Sequence, residues 1–153
     1  MITAYRIAKK KYAADPLGGS GGLRSGGRWH HKGVRIVYCA ENLSLAELEF
    51  FIHFGRHQRK ISLVSFEVSI PAHLIETLPV GKLPADWRTV PPPDSTAKLG
   101  MEWLIRAKNA VLRVPSALTP GEHNYLINPA HKDAAKISIS APRVHVFDSR
   151  MWK

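Results

Sequence analysis

Polar and apolar residues alternate most cleanly at Ser62–Ile70, SLVSFEVSI. Val64, Phe66, Val68 and Ile70 share one face, and Ser65, Glu67 and Ser69 share the other. That period of two predicts a half-buried strand, which Pro71 ends. Ala4–Ala8 alternates the same way, with Tyr5 and Ile7 on one face and Arg6 on the other. The short apolar run 35–39, RIVYC, has strand composition. A helix is expected to follow it. Ser44-Leu45-Ala46-Glu47 matches the S-x-x-E capping box, Leu45, Leu48 and Ile52 recur at helical spacing, and Gly55 is a natural stop. Asp94 or Ser95 can cap a second helix running to about Lys108, with Leu99, Trp103 and Leu104 facing inward. Ala110–Val114, Ile137–Ile139 and Val144–Phe147 read as further strands, and Ala72–Thr77 as a short helix. Residues 119–131, TPGEHNYLINPAH, read as a polar loop around a short apolar centre. Several short strands and two or three helices, without regular alternation, argue for an α+β fold with a mostly antiparallel sheet.

The chain has 153 residues, the size of one domain with a real core, so residues 1–153 are read as a single unit. No run of 18 apolar residues predicts a membrane span, and the N-terminus has no apolar signal core. One cysteine, Cys39, forms no internal disulfide and fits a reducing cytoplasm. Charge changes the picture more. The formal net charge is +10, and residues 1–35 hold eight Lys/Arg against one acid, Asp15. An anionic partner suits that end, and a solubilising surface is the plainer account.

The glycine-rich stretch 16–27, PLGGSGGLRSGG, predicts a loop that is mobile unless a neighbour or ligand holds it. It lacks the G-x-x-x-x-G-K-[ST] spacing of a nucleotide P-loop, yet glycines beside Arg24 and Arg28 permit close approach of an anion. His53 and His57 are four apart with Gly55 between them, and no H-E-x-x-H occurs, so no metal site is expected. Cys39 has no histidine near it in sequence and reads as a small hydrophobe. No helix-turn-helix is visible, so direct binding of nucleic acid is not expected.

Two acids share the first helix. Glu47 has a structural role if the capping box forms. Glu49 lies among Leu48, Phe50 and Phe51, where a carboxylate is either a solvated surface group or a site group facing the basic loop. Arginines, a tyrosine, a lone glutamate and Ser116 at a strand end suit an anionic, sugar-containing ligand. Arginines grip phosphate, and a carboxylate stabilises positive charge on a sugar ring as a glycosidic bond breaks.

The segments YRI (5–7), GGRW (26–29), IVYCAE (36–41), AELEFFIH (46–53), LPADWR (83–88), AVLRVPSA (110–117) and GEHNYLINPAH (121–131) together resemble the RES-domain family of toxin–antitoxin toxins. The resemblance implies an ADP-ribosyltransferase-like fold, a split mixed β-sheet with flanking helices. It implies an enzyme that consumes NAD by phosphorolysis or hydrolysis of the nicotinamide–ribose bond and so arrests growth, or one that ADP-ribosylates a protein. NAD would be a substrate, phosphate a co-substrate, and no cofactor would be needed. The family's arginine, glutamate and serine fall on Arg28, Glu49 and Ser116, with Arg6, Tyr38 and Asn124 as further substrate-binding residues. The implied partner is an Xre-type helix-turn-helix antitoxin that covers the active site, and a homodimer is compatible. The competing class is a non-catalytic basic module that binds RNA or an acidic protein, which leaves Glu49 and Ser116 without a role.

Overall fold

The computed structural model describes residues 1–55 and 60–153. His57, weighed above as a metal ligand, lies outside them. The described residues form one eight-stranded sheet. Its strands are β1 (Ile2–Lys9), β2 (Val37–Ala40), β3 (Leu63–Ile70), β4 (Ile75–Thr77), β5 (Val111–Pro115), β6 (His123–Ile127), β7 (Ser138–Ile139) and β8 (Arg143–His145). The order is β4-β5-β6-β2-β1-β3-β7, and β8 pairs with β3 further along the same edge as β7. Only β4 and β5 run parallel. The architecture is α+β, a mixed, curled sheet with α1 (Gly21–Arg24), α2 (Leu43–Phe54) and α3 (Asp94–Arg106) around it.

β1 and β3 pair over eight consecutive residues, from Ile2↔Ile70 to Lys9↔Leu63. β2 pairs with β6 over all four of its residues. Between these two halves, β1 and β2 are in register at one pair, Tyr5↔Ala40. Past that pair the Arg6 side chain bridges the strands, its Nη1 donating to the Tyr38 carbonyl at 3.0 Å and its Nε to Pro16 O at 2.8 Å.

α2 differs from its expected form in its cap and in its buried face. Its N-cap is Asn42, whose side chain accepts from Leu45 N at 2.7 Å. The chain leaves β2 at Ala40, so the extended residue that can cap comes two positions before Ser44. Glu47 is therefore not a capping partner, and its Oε1 lies 3.3 Å from His145 Nε2 instead. Leu45 is fully buried, but Leu48 and Ile52 are exposed. The helix is apolar on nearly all sides because two layers cover it. Leu45 and Ala46 meet Ile7 and Ala40 of the sheet, while Phe50 and Phe51 pack on Phe147 and Trp152 near the C-terminus. Replacing Leu45 by alanine would cost about 2–5 kcal/mol, the range for a fully buried leucine.

α3 buries Trp103, which joins Trp29, Leu112, Val114 and Leu126 in a second cluster. Gly100 of α3 presses on the basic loop: a Cβ there would lie 1.7 Å from the Trp29 carbonyl oxygen. The other sheet face carries Ala4, Val37, Cys39, Val68, Ile70, Val111, Tyr125 and Ile127 under Leu74 and Ile137.

Two expectations are corrected. Residues 123–127 are a strand inside the sheet, between β2 and β5, rather than the centre of a loop. Ala72–Thr77 is one 3₁₀ turn followed by the edge strand β4. The glycine-rich stretch is held by the chain itself. It contains the single turn α1, Gly33 N donates to Gly22 O, and Arg35 Nη1 donates to Gly18 O.

Candidate active site

β5 ends at Pro115, and the chain turns sharply before β6 brings it back. Ser116, at that turn, is completely buried. Its Oγ accepts from the backbone N–H groups of Leu118 and Thr119, at 3.1 and 3.0 Å. A hydroxyl has two acceptor sites and one proton. Both acceptor sites are filled, so the proton is directed to its remaining neighbour, Glu49 Oε1, at 3.2 Å. Asn124 Nδ2, from β6, donates to the same oxygen at 3.0 Å. Asn124 stands opposite Val114 and Ala40 in the sheet, so two strand registers fix where its amide points. The two donors thus orient the carboxylate through Oε1 and leave Oε2 for a ligand. A serine so engaged holds Glu49 in place and has no lone pair left for attack as a nucleophile.

Arg28 approaches from the basic loop. Its Nη1 donates to two carbonyls of the proline-rich excursion, Trp87 O and Thr89 O, the latter at 3.0 Å. Trp87 packs on the buried Trp29, ring centroids 6.2 Å apart. One end of the guanidinium is thereby clamped, while Nε and Nη2 make no hydrogen bond among the described residues. Burial lowers the Arg28 pKa, and the Glu49 carboxylate and Tyr38 act in the opposite direction, so the three groups share one electrostatic field. Arginine remains charged in such a setting because its ordinary pKa lies far above neutrality.

Tyr38 is fixed by a residue that sequence reasoning left unassigned. His30 Nε2 lies 2.9 Å from Ser25 O, and its Nδ1 lies 2.7 Å from Tyr38 Oη. A carbonyl only accepts, so Nε2 carries the proton, Nδ1 accepts, and the Tyr38 hydroxyl donates. Burial holds His30 below its ordinary pKa, which favours this neutral form, and burial raises the Tyr38 phenol far above its own. The available signal was the pair His30-His31 directly after GGRW. His31 has a separate task, meeting Asp94 at the start of α3 at 2.7 Å. A Cβ on Gly27 would lie 3.1 Å from Tyr38 Oη and 2.9 Å from His30 Cε1, so the loop lies tightly over this pair.

The structure therefore joins Glu49, Ser116 and Asn124 by direct hydrogen bonds and couples Arg28 and Tyr38 to Glu49 electrostatically. Arg6 joins through the main chain of Tyr38, and burial lowers its pKa. Cys39 is buried and its thiol is pushed up to about 11, so it stays protonated and unreactive. Among the described residues, no group of three or more His, Cys, Asp or Glu gathers to hold a metal ion.

The RES domain family model matches residues 3–148. The chain belongs to the RES domain family. A relative named Toxin Res from Photorhabdus laumondii is 35% identical over 150 residues, covering 97% of this chain and 96% of that protein. One named Prs ADP-ribosylating toxin, from a Sphingobium species, is 36% identical over 157 residues, covering 99% and 98%. The crystal structure of the M. tuberculosis MbcT–MbcA toxin–antitoxin complex contains a chain of the same fold. Its TM-score is 0.74 at 18% identity, over 94% of this chain and 84% of that one. Across this RES domain, then, the fold expected from the sequence is the one found. No described helix is long and apolar enough to cross a membrane.

Proposed function

We propose that this RES domain is the toxin of a toxin–antitoxin pair and that it cleaves the nicotinamide–ribose bond of NAD. The observation that carries the reading is the carboxylate of Glu49, held through one oxygen by Ser116 and Asn124, while the other makes no hydrogen bond among the described residues. In this reading Glu49 Oε2 hydrogen-bonds a ribose hydroxyl and stabilises the positive charge that grows on the sugar as the bond to nicotinamide breaks. The bonding electrons leave with the pyridinium nitrogen, so nicotinamide departs neutral without needing an acid. Phosphate or water then bonds to the anomeric carbon and gives up its proton. Arg28 holds the pyrophosphate through Nε and Nη2, with Arg6 as a second cation beside Tyr38. Tyr38, kept neutral, packs against the nicotinamide or its ribose. Leu48 and Ile52, exposed on the helix that carries Glu49, suit a protein seated over the site, and an antitoxin, of the Xre type in this reading, is the cover we assign.

The test is to incubate the purified protein with NAD, with and without phosphate, and identify products by mass spectrometry. ADP-ribose 1″-phosphate marks a phosphorylase and ADP-ribose a glycohydrolase. No nicotinamide in either reaction refutes both. Transfer to a protein is the second reading, favoured by the name of the Sphingobium relative, and adds a mass of ADP-ribose to the acceptor.

A further inference from the structure

A cavity lies away from Glu49, on the flank of α2 where Phe51 meets Phe147 and Trp152. It encloses about 290 Å³. Phe147, Trp152, Leu63 and Ile61 give it apolar walls, Lys10 and Lys60 stand at it, and no carboxylate lines it. His145 also reaches it; its Nε2 lies 3.3 Å from Glu47 Oε1 but makes no hydrogen bond among the described residues.

β8 runs directly into this cavity. It pairs with β3 on one side, Leu63↔His145 to Ser65↔Arg143, and with no described strand on the other. His145 and Phe147 point inward, whereas Val144 and Val146 are 82% and 78% exposed. Proteins normally blunt a free edge with charges, proline or a covering loop. This edge carries Pro142 and Arg143 at its start, but beyond them it exposes Val144 and Val146 and leads to an aromatic-walled cavity beside two lysines. Main-chain pairing along an edge, with a pocket for an alternate side chain, is how sheet proteins capture extended peptides.

We propose that β8 is a docking edge for an extended acidic peptide of a protein partner, which adds as a strand and places one large apolar side chain in the cavity, against the touching rings of Phe147 and Trp152. The partner's carboxylates face Lys10 and Lys60, on a chain whose formal charge is +10. The strand edge favours a peptide over a nucleic acid, because aromatic walls and lysines would serve either, whereas main-chain pairing along an edge is a peptide's contact. The proposal does not depend on the chemistry at Glu49.

The probe is a fluorescein-labelled heptapeptide alternating glutamate with valine or phenylalanine, titrated against the full chain by fluorescence anisotropy. Saturable binding that weakens at high salt is expected. N-methylation of alternate peptide nitrogens keeps the charge but blocks strand pairing, and is expected to weaken binding about tenfold or more, as should the double variant Lys10→Glu/Lys60→Glu. Both lysines are at the surface, and an unchanged circular dichroism spectrum confirms the fold. Equal binding of the N-methylated peptide, or of the lysine variant, overturns the proposal. So does tighter binding of decauridylate than of the peptide, which would make the face a nucleic-acid site.

Discussion

Replacing Glu49 by glutamine separates the shape of the site from its charge. The amide oxygen can stand where Oε1 stands and keep the hydrogen bonds from Ser116 and Asn124. The amide nitrogen then replaces Oε2, so an anionic acceptor becomes a neutral donor where the sugar would bind. Folding loses only the charge assistance of two hydrogen bonds, about 1 kcal/mol each. A half-buried carboxylate regains part of that when it no longer has to be desolvated as an ion. The net cost is about 1 kcal/mol, which moves the melting temperature of a domain this size by roughly 2–4 °C. Catalysis loses an electrostatic stabiliser worth about 3–4 kcal/mol, a hundredfold to a thousandfold in rate. Ser116→Ala makes the contrasting variant. It removes one donor to Glu49 and leaves the N–H groups of Leu118 and Thr119 without an acceptor. At about 1–3 kcal/mol per unsatisfied buried group, with water reaching the turn in part, stability falls by about 2–4 kcal/mol. Nicotinamide release and thermal unfolding, measured on both variants, give the test. If Glu49→Gln keeps its rate within about threefold, less than 1 kcal/mol of barrier, the charge on Glu49 plays no part in catalysis. If Ser116→Ala melts with wild type, the serine does not anchor the turn.

Arg28→Ala should weaken NAD binding by about 1.5–3 kcal/mol and Arg28→Lys should recover only part, because lysine cannot make the two-pronged contact; isothermal titration of the inactive Glu49→Gln background reads this directly. His30 is held neutral, so the unfolded chain takes up a proton there before the folded one does. Stability should be full above the ordinary histidine pKa of about 6.5 and decline as pH falls from there toward the depressed folded value, and chemical denaturation of His30→Gln should lack that part of the slope. Gly100→Ala drives a methyl group into the Trp29 carbonyl, so α3 or the loop bearing Arg28 must shift; a loss of about 1–3 kcal/mol in urea unfolding is expected, together with a raised KM for NAD.

The parts of this molecule that follow local rules were legible in the chain. β3 shows its alternation openly, and α3 its inward Trp103. The central strand β6 did not, because two demands overwrite its pattern. Tyr125, Leu126 and Ile127 are buried on both faces and show no alternation, and the positions before them carry His123 and Asn124. Asn124 serves Glu49, so the sequence places an amide where a strand would otherwise place an apolar residue. The cap of α2 misled for the opposite reason. Ser44 and Glu47 satisfy a local pattern, but tertiary structure had already turned the chain at Asn42. Glu49 and Ser116 were legible as candidates. Their direct contact was not, since 67 residues separate them and only the sheet register brings them together. His30 could be seen beside GGRW but given no role, because that role depends on a tautomer that only its two neighbours define.

The sheet can be pictured as two panels joined by a single stitch at Tyr5 and Ala40. α2 rests chiefly on the β1 panel, whereas Ser116 and Asn124 ride on the turn and strand of the β5–β6 panel. The bonds to Glu49 therefore span the joint. They share that position with the hydrophobic layer on one face of the sheet, in which Ala4, Val68 and Ile70 of one panel meet Val37, Val111 and Ile127 of the other. The carboxylate is thereby a tie across the joint as well as a site group, and its alignment depends on both panels keeping their places.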